Sequence, residues 1–348
     1  YEARGSRPSS NFLLYFTLDT SDIGLNLLSY SPADEDGYFM LLISPKQEYT
    51  ADEILPKDVV FVADVSGSMS GEKMAQLRNA LRYCIQSLNP HDRFNVVPFS
   101  TRARMFRDGA LLEANAQNVE AALAYVDSLR ASGGTAIDEA LGMSFGLLRE
   151  NRENPLERMG MVVFMTDGLP TIGVRDIDQI LRNAQQAAPE GTRVFTFGIG
   201  NDVNTRLLDT LAERTRGTGA YVAPQEDIEQ TVSAFFDNVS SPVLANLSLH
   251  TGDVQLYDIH PRTLPDLFKG QQLVVFGRYR GDGAQPIRLT GTVNGQAREF
   301  VFEGTFAANT TREDFVPRLW AIRKVGFLMN EIRMHGANDE LRNEIIRL

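Results

Sequence analysis

The sequence predicts a doubly wound α/β fold with a mostly parallel sheet, inserted into an antiparallel β-sandwich and followed by a C-terminal helical segment. Three observations carry this. From Pro56 to about residue 240, short apolar β runs alternate with segments of helical period, the pattern of βαβ units. On both flanks the pattern is strand after strand, and each flank is too small to close a core alone, so one sandwich interrupted by an insertion is the economical arrangement. Beyond Pro317, Leu319, Ile322, Val325, Met329 and Ile332 recur at helical spacing up to Gly336.

In chain order, Phe12 to Leu18, Gly24 to Tyr30 and Tyr38 to Ile43 read as strands, the last following the acidic turn Asp34-Glu35-Asp36-Gly37. This first sandwich segment covers 1–51. The α/β part, 56–240, has expected strands at Val59 to Asp64, Phe94 to Phe99, Met161 to Thr166, Arg193 to Ile199 and Ala220 to Val222. Its helices are expected near 72–88, 117–130, 136–149, 177–187, 205–215 and 227–238. The second sandwich segment, 241–311, has strands at Leu244 to Leu249, Gln272 to Arg280, Ile287 to Val293 and Arg298 to Phe302. The last two are joined by the hairpin signal Asn294-Gly295. Helices fill 315–348. The two connections, Thr50 to Lys57 and Val239 to Pro242, should lie close together.

The chain of 348 residues is 43% hydrophobic and 23% charged, which excludes a disordered or collagenous protein. With 34 Lys and Arg against 45 Asp and Glu, its net charge of −11 repels nucleic-acid phosphates and anionic lipid, and no local basic patch reverses the sign. Nucleic acid is therefore not an expected partner. No run approaches the ~20 apolar residues of a membrane helix, so no membrane insertion is expected within this stretch. The single Cys84 removes an intrachain disulfide framework and any Cys-based zinc site. A start without Met and a stop inside a helical run suggest a piece of a longer polypeptide.

Three loop motifs carry the candidate chemistry. Asp64-Val65-Ser66-Gly67-Ser68 ends the first α/β strand, where open α/β sheets place ligand sites. Alone it could be a polar loop with Ser68 or Ser70 capping the next helix. Ser132-Gly133-Gly134-Thr135 precedes Asp138 in a capping-box pattern, and Thr166-Asp167-Gly168 could be an ordinary Asp-Gly turn. Their coincidence changes the reading, because the usual strand order makes the strands of Asp64 and Asp167 neighbours at the switch point. Three hydroxyls and two carboxylates without His or Cys form a hard oxygen set suited to Mg²⁺, Mn²⁺ or Ca²⁺ and unsuited to zinc.

These residues resemble the metal-ion-dependent adhesion site of von Willebrand factor type A domains, with all five positions filled by Asp64, Ser66, Ser68, Thr135 and Asp167. The flanking stretches Asp36-Gly37-Tyr38-Phe39, Leu267-Phe268-Lys269-Gly270 and Phe315-Val316-Pro317-Arg318-Leu319-Trp320 are similar to those of inter-alpha-trypsin inhibitor heavy chains and their bacterial relatives, whose upstream VIT domain would precede this region. A bacterial member is expected. The resemblance implies that Ser66 and Ser68 bind the cation directly, Thr135 directly or through water, and Asp64 and Asp167 largely through water, with Mg²⁺ the expected ion. The hydroxyl-rich shell leaves the cation's charge poorly neutralised, so an acidic side chain of a protein partner is its natural outside ligand. The implied function is a non-enzymatic adhesion or protein-binding module, extracellular or at the cell surface. Relatives of the fold also couple the metal site to an axial shift of the last α/β helix.

Alternatives are a metal-dependent hydrolase and an intracellular metal-dependent assembly factor. The G-x-S-x-G string at Gly142 to Gly146 falls at helical spacing, which places Ser144 in mid-helix instead of on a nucleophile elbow. An aspartyl phosphatase would need a second carboxylate where Ser66 stands. His91, His250, His260 and His335 occupy positions common for solvated or capping histidines, and the acidic turn at Asp34 to Asp36 reads as solvated.

Overall fold

The structure is a computed structural model that describes residues 22–33, 35–50, 53–152, 157–293, 296–310, 312–336 and 339–348. The strand expected at Phe12 to Leu18 and the Asn294-Gly295 turn lie outside these residues.

The six-stranded sheet is built from β3 (Lys57–Asp64), β4 (Arg93–Phe99), β5 (Leu112–Glu113), β6 (Met159–Thr166), β7 (Arg193–Ile199) and β8 (Gly219–Val222), in the order β5-β4-β3-β6-β7-β8. All pairings are parallel except that of the short edge strand β5 with β4. Period-two alternation along β3 feeds two cores. Val59, Phe61 and Ala63 pack with buried residues of α1 (Glu72–Gln86), α2 (Ala116–Ser128) and α6 (Ile228–Val239). Val60 and Val62 pack with those of α3 (Ile137–Glu150), α4 (Ile177–Ala187) and α5 (Thr205–Arg214) on the opposite face. Central strands buried on both faces explain why β3 reads as an unbroken apolar run.

The flanking segments form two antiparallel sheets. One is β1-β2-β12-β10, from β1 (Ile23–Tyr30), β2 (Gly37–Pro45), β10 (Gln255–His260) and β12 (Leu273–Arg280). The other is β11-β9-β13-β14, from β9 (Pro242–Thr251), β11 (Leu267–Phe268), β13 (Gly283–Val293) and β14 (Gln296–Phe306). Their inner faces share a core in which Phe39 of β2 meets Phe306 of β14 edge to face at 6.3 Å. The chain thus enters the α/β unit after one strand pair of the sandwich and leaves it into the other sheet. The two crossings touch, with Leu55 N–H donating to Pro242 O at 3.0 Å.

The seam between the units is polar and buried. Lys57 Nζ lies 2.6 Å from Asp92 Oδ2, both side chains are 0% exposed, and the same ammonium donates to the Ser240 carbonyl at the end of α6. Arg193 makes a two-pronged pair with Asp266, at 2.7 and 2.9 Å, and donates to Asn246 Oδ1 at 2.8 Å, tying β7 to the sandwich. The C-terminal segment is α7 (Phe315–His335) and α8 (Asp339–Arg347). Trp320 of α7 donates to the Asp258 carbonyl at 3.0 Å and meets Tyr38 edge-on at 5.2 Å, so α7 is seated on the first sandwich sheet.

In the sandwich one sequence expectation fails and another holds only in part. His260 is neither solvated nor a cap. It is buried beside Phe327 of α7 at 5.5 Å, and burial pushes its pKa down. Asp36 keeps 32% of its side chain exposed, as a solvated turn residue does, but it also accepts from Tyr257 Oη at 2.5 Å and Arg280 Nε at 2.8 Å, bonds that hold its carboxyl below the usual range.

Candidate functional site

The three motif loops converge at the C-terminal ends of β3 and β6, which pair in parallel as the strand order requires. Backbone hydrogen bonds lock the loops together. Gly67 N–H donates to Gly133 O at 3.0 Å and Ser132 N–H to Val65 O at 2.8 Å, joining the first loop to the second. Thr171 N–H donates to Thr135 O at 3.0 Å, and Thr135 N–H to Thr171 Oγ1 at 2.8 Å, joining the second to the third. Gly133 adopts φ +79°, and a Cβ there would come within 2.4 Å of Thr101 Oγ1, the hydroxyl that accepts Gly134 N–H at 3.1 Å. Glycine is required there by both backbone and space.

The side chains then form one chain of contacts. Asp64, 0% exposed, accepts Ser66 N–H on Oδ1 at 2.8 Å and the Thr166 hydroxyl on Oδ2 at 2.6 Å. Ser66 Oγ and Ser68 Oγ are 3.0 Å apart, and Ser68 Oγ donates to Asp167 Oδ1 at 2.7 Å. Lys73 Nζ lies 2.7 Å from Asp167 Oδ2. Thr135 stands over the third loop, its Oγ1 3.9 Å from where a Gly168 Cβ would be. Burial pushes the Asp64 carboxyl above the usual carboxylate range, against the opposing hydrogen bonds from Thr166 and Ser66.

The capping readings do not hold. Gly71 is the N-cap of α1 and Ala136 that of α3, and neither helix has a side-chain cap, so the hydroxyls of Ser68, Ser70 and Thr135 do not cap these helices. The structure therefore joins Asp64, Ser66, Ser68 and Asp167 by direct contacts, and it places Thr135 beside them on the adjoining loop. It adds four that the motifs did not single out: Lys73, Thr101 and Thr171, and Thr166 as the hydroxyl on Asp64. Ser144 lies inside α3, where its buried hydroxyl donates to the Ala140 carbonyl at 2.6 Å, as expected for a mid-helix serine and not for a nucleophile.

Chemically, the cluster offers hard oxygens. Each serine or threonine hydroxyl keeps lone pairs free while donating its one proton, so Ser68 can serve Asp167 and a cation together. Among the described residues no group of three or more His, Cys, Asp and Glu is arranged to hold a metal ion. A cation placed in this cluster would thus depend on hydroxyls and water, a donor set that fits Mg²⁺ or its hard relatives.

Known proteins share this domain and fold. Residues 57–221 match the family profile of the von Willebrand factor type A domain. Over 90% of this chain the sequence is 31% identical to human inter-alpha-trypsin inhibitor heavy chain H4, and over 85% it is 28% identical to heavy chain H2 of Sus scrofa. The alignments take in 35% and 32% of those proteins, so the chain spans about a third of the length of the curated relatives it matches. Among solved structures, a von Willebrand factor type A protein from Catenulispora acidiphila superposes with a TM-score of 0.67 at 17% identity, covering 89% of this chain and 80% of that one. The ArnB paralog VWA2 from Sulfolobus acidocaldarius does so with a TM-score of 0.57 at 15% identity, covering 94% and 88%. Both share the fold. The chain carries a von Willebrand factor type A domain over residues 57–221. Over most of its length it is similar to the inter-alpha-trypsin inhibitor heavy chains.

Proposed function

We propose that this region is a protein-binding module in which a divalent cation, with Mg²⁺ the first choice, is held by the hydroxyls of Ser66, Ser68 and Thr135, with Asp64 and Asp167 behind them. When bound, the ion supplies an electrophilic coordination position for an anionic oxygen. The chain's own residues do the rest. Asp64 fixes the first loop through Ser66 N–H, Asp167 orients the Ser68 hydroxyl, and the inter-loop backbone bonds hold the three loops together at the C-terminal ends of β3 and β6. The occupant from outside is a carboxylate of a partner protein, because uncharged hydroxyl ligands leave the cation's charge to be met by it.

The observation that carries this reading is the convergence of three separate loops on one hydroxyl and carboxylate cluster with no helix-capping duty. Kinship with the heavy chains supports a binding role and an extracellular or cell-surface setting. The hydrolase alternative lacks a placed base, since the helical Ser144 faces only a backbone carbonyl.

Titration calorimetry with Mg²⁺ tests the proposal. The wild type should bind one ion, and Asp64→Ala should reduce affinity by about ten- to a hundredfold, as loss of a group that orients metal ligands does. Equal affinities would refute the assignment.

A further inference from the structure

One charged group at the site lies outside the hydroxyl and carboxylate set. Lys73 stands in the first turn of α1, its Nζ 2.7 Å from Asp167 Oδ2, while Asp167 Oδ1 takes the Ser68 hydroxyl at 2.7 Å. A single carboxylate therefore connects the ammonium to the hydroxyl cluster. The Asp167 side chain is 0% exposed and that of Lys73 is 39% exposed. The difference arises because Lys73 also lines a cleft of about 400 Å³, bounded by Glu72, Gln76, Gly200, Pro224 and Asp227.

Each acid of that cleft accepts a local hydrogen bond from an uncharged donor. Asp227 caps α6 by accepting Glu229 N–H at 2.8 Å, Glu226 accepts Ala223 N–H at 2.8 Å, and Glu72 accepts Gln76 Nε2 at 3.4 Å. Lys73 is the cationic side chain among these lining residues. It stands at the junction between the cluster and a cleft that a partner segment can enter.

Charge arithmetic gives this position a consequence. Ionised Asp64 and Asp167, standing behind the hydroxyls, balance a divalent cation only in total charge and not at its open face, so Lys73 leaves the loaded site with one positive charge in excess. Without Lys73 the loaded site is neutral. We propose that Lys73 is a specificity-determining residue: its ammonium weakens the hold on the metal ion and, by making the loaded site cationic, selects a carboxylate from the partner over a neutral oxygen. This inference rests on the metal-dependent binding reading above.

The two steps must then respond to Lys73 with opposite signs. In Lys73→Met, which keeps the apolar stem, Mg²⁺ affinity by calorimetry should rise about tenfold, the scale expected from removing a like charge a few ångströms away in a partly solvated site. Retention of the protein in Mg²⁺ on an immobilised Gly/Ser peptide bearing one Glu should fall about tenfold, while retention on the Gln version stays unchanged. Lys73→Arg should keep both properties. The apo form of Lys73→Met should also melt lower than wild type, because buried Asp167 loses its counter-ion, and the rise in melting temperature on adding Mg²⁺ should be larger.

Parallel loss of metal affinity and peptide retention would make Lys73 a merely structural residue and overturn the proposal. Unchanged Mg²⁺ affinity in Lys73→Met would overturn it too, as would a wild type that binds Mg²⁺ yet retains Glu and Gln peptides alike. A wild type that binds no Mg²⁺ is a different failure, which removes the underlying reading together with the inference.

Discussion

Asp92→Ala should lower the free energy of unfolding by about 3–5 kcal/mol, the range for truncating one partner of a buried ion pair and stranding the other. Asp92 faces the Lys57 ammonium at 2.6 Å with both side chains fully buried. It also accepts the backbone N–H groups of Lys57 at 2.9 Å and Asn89 at 2.8 Å. Burial pushes the Lys57 pKa down, and Asp92 is the group that opposes the shift. In the variant the folded-state pKa falls further below the unfolded value, so the unfolded chain binds the extra proton between the two, and stability there rises with pH. Denaturant unfolding should therefore show a smaller deficit at pH 9 than at pH 7. The double change Lys57→Met with Asp92→Leu should recover part of the loss, since it removes both charges together. A single variant within about 1 kcal/mol of wild type would mean that the seam is not held by this pair.

The second large effect has two opposite parts. Asp64→Asn should raise the melting temperature of the metal-free protein, because the buried carboxyl is already pushed toward its neutral form and an amide can keep both bonds, accepting from Ser66 N–H and donating to Thr166 Oγ1. The same change should abolish stabilisation by Mg²⁺, which in the wild type amounts to about 2.7 kcal/mol at a hundred times the dissociation constant. Thermal melts with and without Mg²⁺ read both parts. A variant that is destabilised without metal yet still gains stability from Mg²⁺ would contradict the role given to Asp64.

Much of this was legible in the sequence because it is local. The α/β strands are continuous apolar runs fixed by burial on both faces, and β7 and α4 lie where periodicity places them, at Arg193–Ile199 and Ile177–Ala187. The adjacency of Asp64 and Asp167 followed from the usual order of such sheets and is seen in the β3–β6 ladder. Three strands escaped the sequence reading. β5 and β11 are two residues each, below any periodic signal. β10 is broken by a register shift after Tyr257 and by Asp258 at φ +48°, so its alternation does not show.

Where single residues were ambiguous or misread in the sequence, one cause is shared. Thr135 before Asp138 has the local form of a capping box, and only the third loop, which binds both its N–H and its carbonyl, takes it elsewhere. His260 before Pro261 looks like a turn residue until α7 covers it with Phe327. Lys73, Thr101 and Thr171 act on partners 94, 33 and 36 residues away, a separation at which spacing carries no information. Thr166 was visible as part of its motif, but its bond to Asp64, 102 residues distant, was not.

The central claim is that the converged loops hold a divalent cation through hydroxyls. The most direct measurement is anomalous diffraction from crystals of this protein grown with Mn²⁺, which marks the ion without reference to activity. The expected result is one strong anomalous peak about 2.0–2.3 Å from Ser66 Oγ and Ser68 Oγ, with Thr135 Oγ1 or a water bound to it completing that side, and with a water or a carboxylate opposite. No peak among Ser66, Ser68, Thr135 and the two aspartates at saturating Mn²⁺, or a peak bound only elsewhere, would contradict the account.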